Sequence, residues 1–181
     1  GVAAARLLDT RDVDALPATR TVPVPDLTGV APATPVRLNT LAALGAGAVY
    51  ASVCDIRIAS ENATFGMPEI NVGRCGGGAH MGRHFPQGML RKMFFTGQPI
   101  DAETAWRLGF VQEIAEPDAL MDTAMTMART IAAKAPLGLR MGKRALNEIE
   151  TMQVEEGYQH EQAYSTKLMA TEDAREATRA V

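Results

Sequence analysis

The sequence is poor in cysteine, histidine and aromatic residues, and each shortage excludes a class of protein. Its 181 residues include two cysteines, Cys54 and Cys75, with no CxxC pair, which excludes a disulfide framework and a four-thiolate zinc site. Three histidines leave little material for another kind of metal site, so we expect no metal. Aromatic residues make up 5% of the chain, which favours close-packed helices and tight turns over a sandwich of aromatic strands.

Positive charge and long hydrophobic runs are also lacking. Eighteen Lys and Arg residues oppose 21 Asp and Glu residues, and the formal net charge of −3 argues against general nucleic-acid binding. No apolar run approaches the roughly 20 residues of a membrane span, and the first residues show neither the basic start nor the apolar core of a secretory signal. We therefore expect a cytoplasmic protein with no nucleic-acid partner and no membrane association.

Proline separates the start of the chain from the rest. Half of the ten prolines lie before residue 36: Pro17, Pro23, Pro25, Pro32 and Pro35. Because proline fixes φ and removes a backbone donor, the stretch PATRTVPVPDLTGVAPATP (17–35) cannot form a long helix or a central strand. We predict three parts, a Pro-rich N-terminal segment over 1–36, a core over 37–116 and a helical segment over 117–181.

Strand and helix signals alternate in the core and give way to helices, which predicts an α/β protein. Asp101 is placed as a helix N-cap, and Gly109 stands where that helix would end. In the last third, Pro117 is expected to start a helix and Pro136 to stop it, while Thr171 is expected to cap the final helix.

Three short stretches contain the residues that are candidates for binding or catalysis. The first is LGAGAV (44–49), a Gly-Ala-Gly turn that leads into an Ala-rich helix. Amides at the start of such a helix can hold an anion or a polarised carbonyl oxygen. A plain tight turn explains the same residues, and the turn by itself favours that simpler interpretation.

The second and third stretches are FGMPEI (65–70) and GRCGGGAH (73–80). Glu69 follows the rigid Pro68 between apolar neighbours, where a carboxylate would be partly desolvated, the setting of a general base. From the local sequence alone, a surface glutamate after a turn is the favoured interpretation. The glycine cluster allows close approach of a ligand, but it matches neither a Walker A loop nor a dinucleotide fingerprint, so a surface loop is the alternative. His80 either faces this site or caps a helix, and capping is favoured.

Together these stretches resemble the crotonase (enoyl-CoA hydratase/isomerase) superfamily. The matching strings are LGAGAVYASVCDIRIASENATFGMPEINVG, FFTGQPIDAETAWRLGFVQEI, AAKAPLGLRMGKRALN and TEDAREATRA, in that order from about Pro35 to Val181. The resemblance implies a spiral of ββα units followed by a helical segment that assembles into a homotrimer or hexamer. The family's N-terminal strands are not recognisable in residues 1–36, so this part is either divergent or incomplete.

The resemblance also implies an acyl-CoA thioester as substrate, with no separate cofactor. Ala46 falls on the family position whose backbone N–H holds the thioester oxygen, and Glu69 falls on a family glutamate that moves a proton. The other positions expected to line the substrate site are Gly45, Gly47, Val49, Pro68, Gly73, Gly76 and Gly77.

One departure from the family pattern bears on the reaction. Val49 stands where hydratases of this family carry a second glutamate, and valine cannot hold or activate water. A single carboxylate can still move a proton between two carbons of one enolate, as the family's isomerases do. We expect an enoyl-CoA hydratase/isomerase-type enzyme. The alternatives are a non-catalytic CoA-binding or assembly subunit, and an acyl-CoA hydrolase or decarboxylase.

Overall fold

A computed structural model describes residues 2–7, 33–38 and 42–179 of the chain. These residues form two compact units that divide near residue 128. The strands are β1 (Val2–Leu7), β2 (Ala33–Leu38), β3 (Ala42–Leu44), β4 (Ile56–Ser60), β5 (Thr64–Gly66), β6 (Ile100–Asp101) and β7 (Glu113–Ala115). The helices are α1 (Ala46–Ser52), α2 (Gly78–Met81), α3 (Gln87–Thr96), α4 (Ala102–Arg107), α5 (Leu120–Ala132), α6 (Pro136–Ile149), α7 (Val154–Met169) and α8 (Glu172–Arg179), with a 3-10 helix over Pro68–Val72.

Two small sheets organise the first unit. One has the strand order β2-β1-β4-β7, and its edge strand β2 contains Pro35, at a position where a missing N–H is tolerated. The other has the order β3-β5-β6. In this second sheet β3 runs parallel to β5 with Leu44 opposite Gly66, and β5 runs antiparallel to β6 with Phe65 opposite Ile100. These registers bring the end of β3, the end of β5 and the start of β6 together.

Small side chains and a few large ones fill the main core of this unit. Phe65 and Phe110 are fully buried and meet edge to face, with ring centroids 5.2 Å apart. Met67 is also fully buried, and α1 presents alanines to the same core. The low aromatic content therefore reflects an interior in which helices approach strands closely through alanine and glycine.

Arg57 is a buried cation in β4 that donates to backbone carbonyl groups. Its guanidinium donates hydrogen bonds to the backbone oxygens of Phe110, Ala51 and Cys54, and it stacks 4.9 Å from the centroid of the Phe110 ring. Desolvation by burial lowers the pKa of this group. The network ties the end of α1 to the segment before β7.

The predicted helix signals are confirmed at four positions and wrong at one. Asp101 caps α4 by accepting a hydrogen bond of 2.8 Å from the Thr104 amide, and Thr171 caps α8 by accepting one of 3.3 Å from the Ala174 amide. Gly109 follows α4 with φ 79°. α5 begins at Leu120, three residues after Pro117, and it ends at Ala132, before Pro136. Pro136 also opens α6. Proline suits the first turn of a helix because its missing N–H would have no helical partner there.

The second unit contains α6, α7 and α8. Gly157 on α7 is buried, and a Cβ at that position would make ordinary contact with Ile149 Cβ at 3.5 Å and Met152 Cβ at 3.7 Å. Glu148 on α6 accepts hydrogen bonds from His160 Nε2 at 2.6 Å and from the Tyr164 hydroxyl at 2.8 Å. These contacts hold α6 against α7.

Candidate active site

The turn between β3 and α1 positions the predicted oxyanion donor. Gly45 adopts φ 53° and ψ −120°, a conformation that side chains disfavour, and its amide donates to Gly66 O at 2.9 Å. The first bond of α1 runs from the Val49 amide to Gly45 O at 3.1 Å. Because Ala46 is the first helical residue, its amide has no acceptor within the helix. Ala46 is an exposed residue.

Glu69 lies on the adjacent 3-10 helix and reaches back to that turn. Pro68 occupies the first position of this helix, and the Glu69 carbonyl accepts a hydrogen bond of 2.9 Å from the Arg74 amide. A Cβ on Gly45 would lie 2.7 Å from Glu69 Oε1, so the carboxylate rests directly against the Gly45 backbone. Glu69 Oε2 is buried and has no hydrogen-bond partner among the described residues. The sequence thus brings a carboxylate with unused hydrogen-bonding capacity beside the start of α1.

Apolar side chains of Val49 and Met67 pack against Gly77 and form an apolar wall beside this turn. Gly77 has φ 71°, and a Cβ there would lie 2.5 Å from Met67 Cε and 2.7 Å from Val49 Cγ2. Val49 is half-buried one helical turn after Ala46, and Met67 is fully buried two residues before Glu69. The glycine-rich loop therefore closes against an apolar surface made by α1 and the end of β5.

The structure joins some of the predicted site residues and leaves others apart. Gly45, Ala46, Val49, Glu69 and Gly77 form the constellation described above. Gly73 ends the 3-10 helix with φ 67°, and Gly76 follows in the loop; both are exposed, with nothing within 4 Å of an added Cβ. Gly47 faces Ala43, whose Cβ would lie 4.0 Å from a Cβ on the glycine, and Pro68 is half-buried. The roles of all these residues remain predictions.

The two histidines of the first unit, His80 and His84, have different surroundings. His80 is exposed near the end of α2. His84 Nε2 lies 2.7 Å from Ser52 O, and its ring meets Phe110 edge to face, which gives His84 a packing role. Within the described ranges, no group of three or more His, Cys, Asp or Glu residues could hold a metal ion, and no helix is long and apolar enough to cross a membrane.

Three residues around Glu69 are not identified by sequence reasoning. Gly66 is the acceptor of the Gly45 amide. The Asn71 side chain lies over Gly97, which has φ 63° and is buried. The strings FGMPE and TGQP contain these glycines, but their spacing of about thirty residues carries no contact signal in a single sequence. An Asx residue on a 3-10 helix and a helix-ending glycine are each ordinary on their own.

Comparison with known proteins identifies the family. The profile of the enoyl-CoA hydratase/isomerase family matches residues 41–180. The chain belongs to this family. It is 38% identical over 125 residues to a (7aS)-7a-methyl-1,5-dioxo-2,3,5,6,7,7a-hexahydro-1H-indene-carboxyl-CoA hydrolase of Mycobacterium tuberculosis, a match that covers 69% of this chain and 51% of the relative. It is 37% identical over 138 residues to a short-chain-enoyl-CoA hydratase of Clostridium acetobutylicum, covering 75% of this chain and 53% of that one.

Solved structures agree with the family assignment. An enoyl-CoA hydratase from Mycobacterium smegmatis superposes with a TM-score of 0.75 at 28% identity, over 77% of this chain and 55% of that one. The predicted crotonase-like α/β fold is therefore confirmed. The chain spans about half the length of the curated relatives it matches.

Proposed function

We propose that this family member acts on an acyl-CoA thioester by moving a proton through a stabilised enolate. The observation that carries the proposal is the position of the Glu69 carboxylate against Gly45, the residue immediately before Ala46. A proton acceptor beside an oxyanion donor supplies the two parts that such chemistry needs. The acyl-CoA is the substrate, and no separate cofactor is invoked.

The Ala46 amide supplies the electrostatic part of the mechanism. When a proton leaves the carbon next to a thioester carbonyl, negative charge collects on the carbonyl oxygen. A backbone N–H at the start of α1 meets that charge with a fixed dipole and needs no reorganisation. Removal of one such donor costs on the order of 10²–10³ in rate in other enzymes. Because the donor is a backbone group, an alanine serves as well as a glycine.

Glu69 supplies the proton transfer. Its carboxylate takes the proton from the carbon next to the carbonyl, and the electron pair of that C–H bond becomes the enolate. In a 3-enoyl thioester the negative charge extends along the double bond, and the same carboxyl group returns the proton to the far carbon. The product is the 2-enoyl isomer, with no atom gained or lost. The unpartnered Oε2 leaves the carboxylate with unused capacity to bind this proton.

Val49 favours isomerisation over hydration. Addition of water to a double bond needs a group that orients the water and takes its proton, in addition to the acid that protonates the other carbon. Val49 and Met67 instead present apolar groups on the Gly77 side of the site. An apolar wall fits the hydrocarbon part of an acyl chain and disfavours a bound water.

Hydrolysis of the thioester is a second candidate, favoured by the similarity to a relative named as a CoA hydrolase. In that case Glu69 would accept a proton from the attacking water, and the Ala46 amide would stabilise the tetrahedral oxyanion. Release of free CoA distinguishes this reaction from isomerisation.

We also propose that the protein assembles into trimers or hexamers, and light scattering on the purified protein would measure its oligomeric state.

The test is turnover of 3-enoyl-CoA and 2-enoyl-CoA by the wild-type protein and by Glu69→Gln. Glutamine keeps the shape of the side chain but cannot accept a proton, so we expect turnover to fall by roughly 10²–10⁴-fold. Glu61→Gln is the matched control, because Glu61 is an exposed carboxylate in the turn before β5. Unchanged turnover in Glu69→Gln would refute the mechanism. Binding of acyl-CoA by the wild type without turnover would favour a non-catalytic CoA-binding subunit.

A further inference from the structure

The short segment from Gly97 to Pro99 meets the Glu69-bearing turn at two places. At the near end, a Cβ on Gly66 would lie 3.0 Å from Pro99 Cα. At the far end, a Cβ on Gly97 would lie 2.5 Å from Asn71 Oδ1 and 2.7 Å from its Nδ2. Both glycines are buried, so their backbones press directly on the opposing groups. Glu69 lies between the two contacts in sequence.

This segment is itself firmly held. The Gly97 amide donates to Met93 O at 2.9 Å and ends α3, while the Gln98 amide donates to the Thr96 hydroxyl at 3.2 Å. On its other side, Ile100 pairs with Phe65 in the antiparallel ladder between β5 and β6. A helix end and a strand therefore fix the segment from both directions.

We propose that Gly97–Pro99 is a brace that positions the Glu69 carboxylate against Gly45. This inference rests on the proposed function. The contact with Pro99 fixes Gly66, whose carbonyl accepts a hydrogen bond from the Gly45 amide. The contact with Gly97 fixes Asn71, which lies on the same 3-10 helix as Glu69. Asn71, Gly97 and Pro99 are positioning residues, since none of them is placed on the reacting atoms. The brace sets the separation between the proton acceptor and the oxyanion amide.

Gly97→Ala tests the brace because its methyl group would displace Asn71. The side-chain amide must retreat by about 0.9 Å to reach ordinary contact at 3.4 Å. Asn71 is exposed, so the brace requires that the 3-10 helix move together with this side chain. A misplacement of Glu69 near 1 Å costs up to about 10²-fold in rate, so we expect kcat on 3-enoyl-CoA to fall at least tenfold. An Asn71 side chain that rotates away alone would leave kcat unchanged and overturn the brace. The apolar wall and the Ala46 amide are untouched, so KM should stay within about twofold.

Gly109→Ala is the matched control. Gly109 also ends a helix with positive φ, 79° against 63° for Gly97, but it is exposed and nothing lies within 4 Å of an added Cβ. Both substitutions carry the backbone strain of a left-handed residue, and only Gly97→Ala adds the collision with Asn71. We expect both to lose thermal stability, Gly97→Ala more than Gly109→Ala, and only Gly97→Ala to lose kcat.

The double variant Asn71→Ala/Gly97→Ala separates positioning from general damage. It removes the colliding amide, so its kcat should exceed the product of the two single effects by at least about threefold, the coupling of residues in contact. Should Gly97→Ala not fold, Asn71→Ala adds no atoms and should still lower kcat with KM unchanged. Crystal structures supply a readout independent of turnover: Glu69 moves away from Gly45 in Gly97→Ala and stays in Gly109→Ala.

The outcomes distinguish the brace from the proposed function. Equal kcat in Gly97→Ala and Gly109→Ala, with Glu69 in place in both structures, would overturn the brace. If Glu69→Gln has lost turnover in the same assay, the proposed function stands and only the brace is wrong. If Glu69→Gln retains full turnover, the function is wrong, and the position of Glu69 in the variant structures decides the brace.

Discussion

Gly45→Ala should damage both stability and catalysis, because Gly45 is the point where the two parts of the site touch. At φ 53° and ψ −120° a side chain is strained, which costs roughly 1–3 kcal/mol in the free energy of unfolding. The new methyl would lie 2.7 Å from Glu69 Oε1, so the carboxylate must move by about 0.7 Å to reach ordinary contact at 3.4 Å. A displacement of this size predicts a loss of kcat on the order of 10–100-fold.

Urea unfolding and steady-state turnover of the same preparations test this prediction. Gly47→Ala is the control for stability, because Gly47 lies inside α1 without positive φ and its added Cβ would meet Ala43 at an ordinary 4.0 Å. That variant should be more stable by about 0.4–1 kcal/mol. Gly88→Ala, with open space around it in α3, is the control for turnover. Wild-type stability and turnover in Gly45→Ala would refute the contact between the turn and the carboxylate.

Three further predictions concern the loop, the buried cation and a helix cap. Gly77→Ala should lower the free energy of unfolding by roughly 2 kcal/mol or more, because Gly77 has positive φ and its added Cβ would make two close contacts. Gly76→Ala, with open space around it, should stay within about 0.5 kcal/mol of the wild type. Equal values for the two variants in urea unfolding would contradict the close packing at Gly77. Arg57→Met should cost roughly 3 kcal/mol or more, because three backbone carbonyls lose their donor; a stability loss below 1 kcal/mol would argue against the network. Hydrogen bonds from the Thr104 side chain and amide lower the pKa of Asp101, so its stabilising effect is full above about pH 4 and is lost as pH falls through the lowered pKa. Asp101→Asn should keep the cap and flatten this acid dependence, which unfolding curves between about pH 2 and 6 would measure.

Local chemistry made much of the fold predictable. Asp101 and Thr171 act as caps because short polar side chains satisfy free amides at helix starts, and that signal needs no distant partner. Pro136 both follows α5 and opens α6, because only three residues separate the two helices. The pattern that ends one helix is therefore identical to the pattern that begins another.

The site was predictable as a set of residues but not as a geometry. The family resemblance identifies Glu69 and Ala46, and the structure brings the first against the residue preceding the second. The pairing of Leu44 with Gly66 creates that proximity, and a register between distant strands leaves no trace in one sequence. Gly73, Gly76 and Gly77 lie in the same glycine-rich stretch, yet of these three only Gly77 packs against side chains. The sequence of the stretch does not specify which of its glycines makes that contact.

Deuterium incorporation measures the central step, proton removal by Glu69 from the carbon next to the thioester carbonyl. The purified protein is incubated with 3-enoyl-CoA in deuterium oxide, and mass spectrometry follows the label in the recovered acyl-CoA. The wild type and Glu61→Gln should introduce deuterium at the same rate, while Glu69→Gln should introduce it at least about 10²-fold more slowly. Equal labelling by wild type and Glu69→Gln would contradict the account.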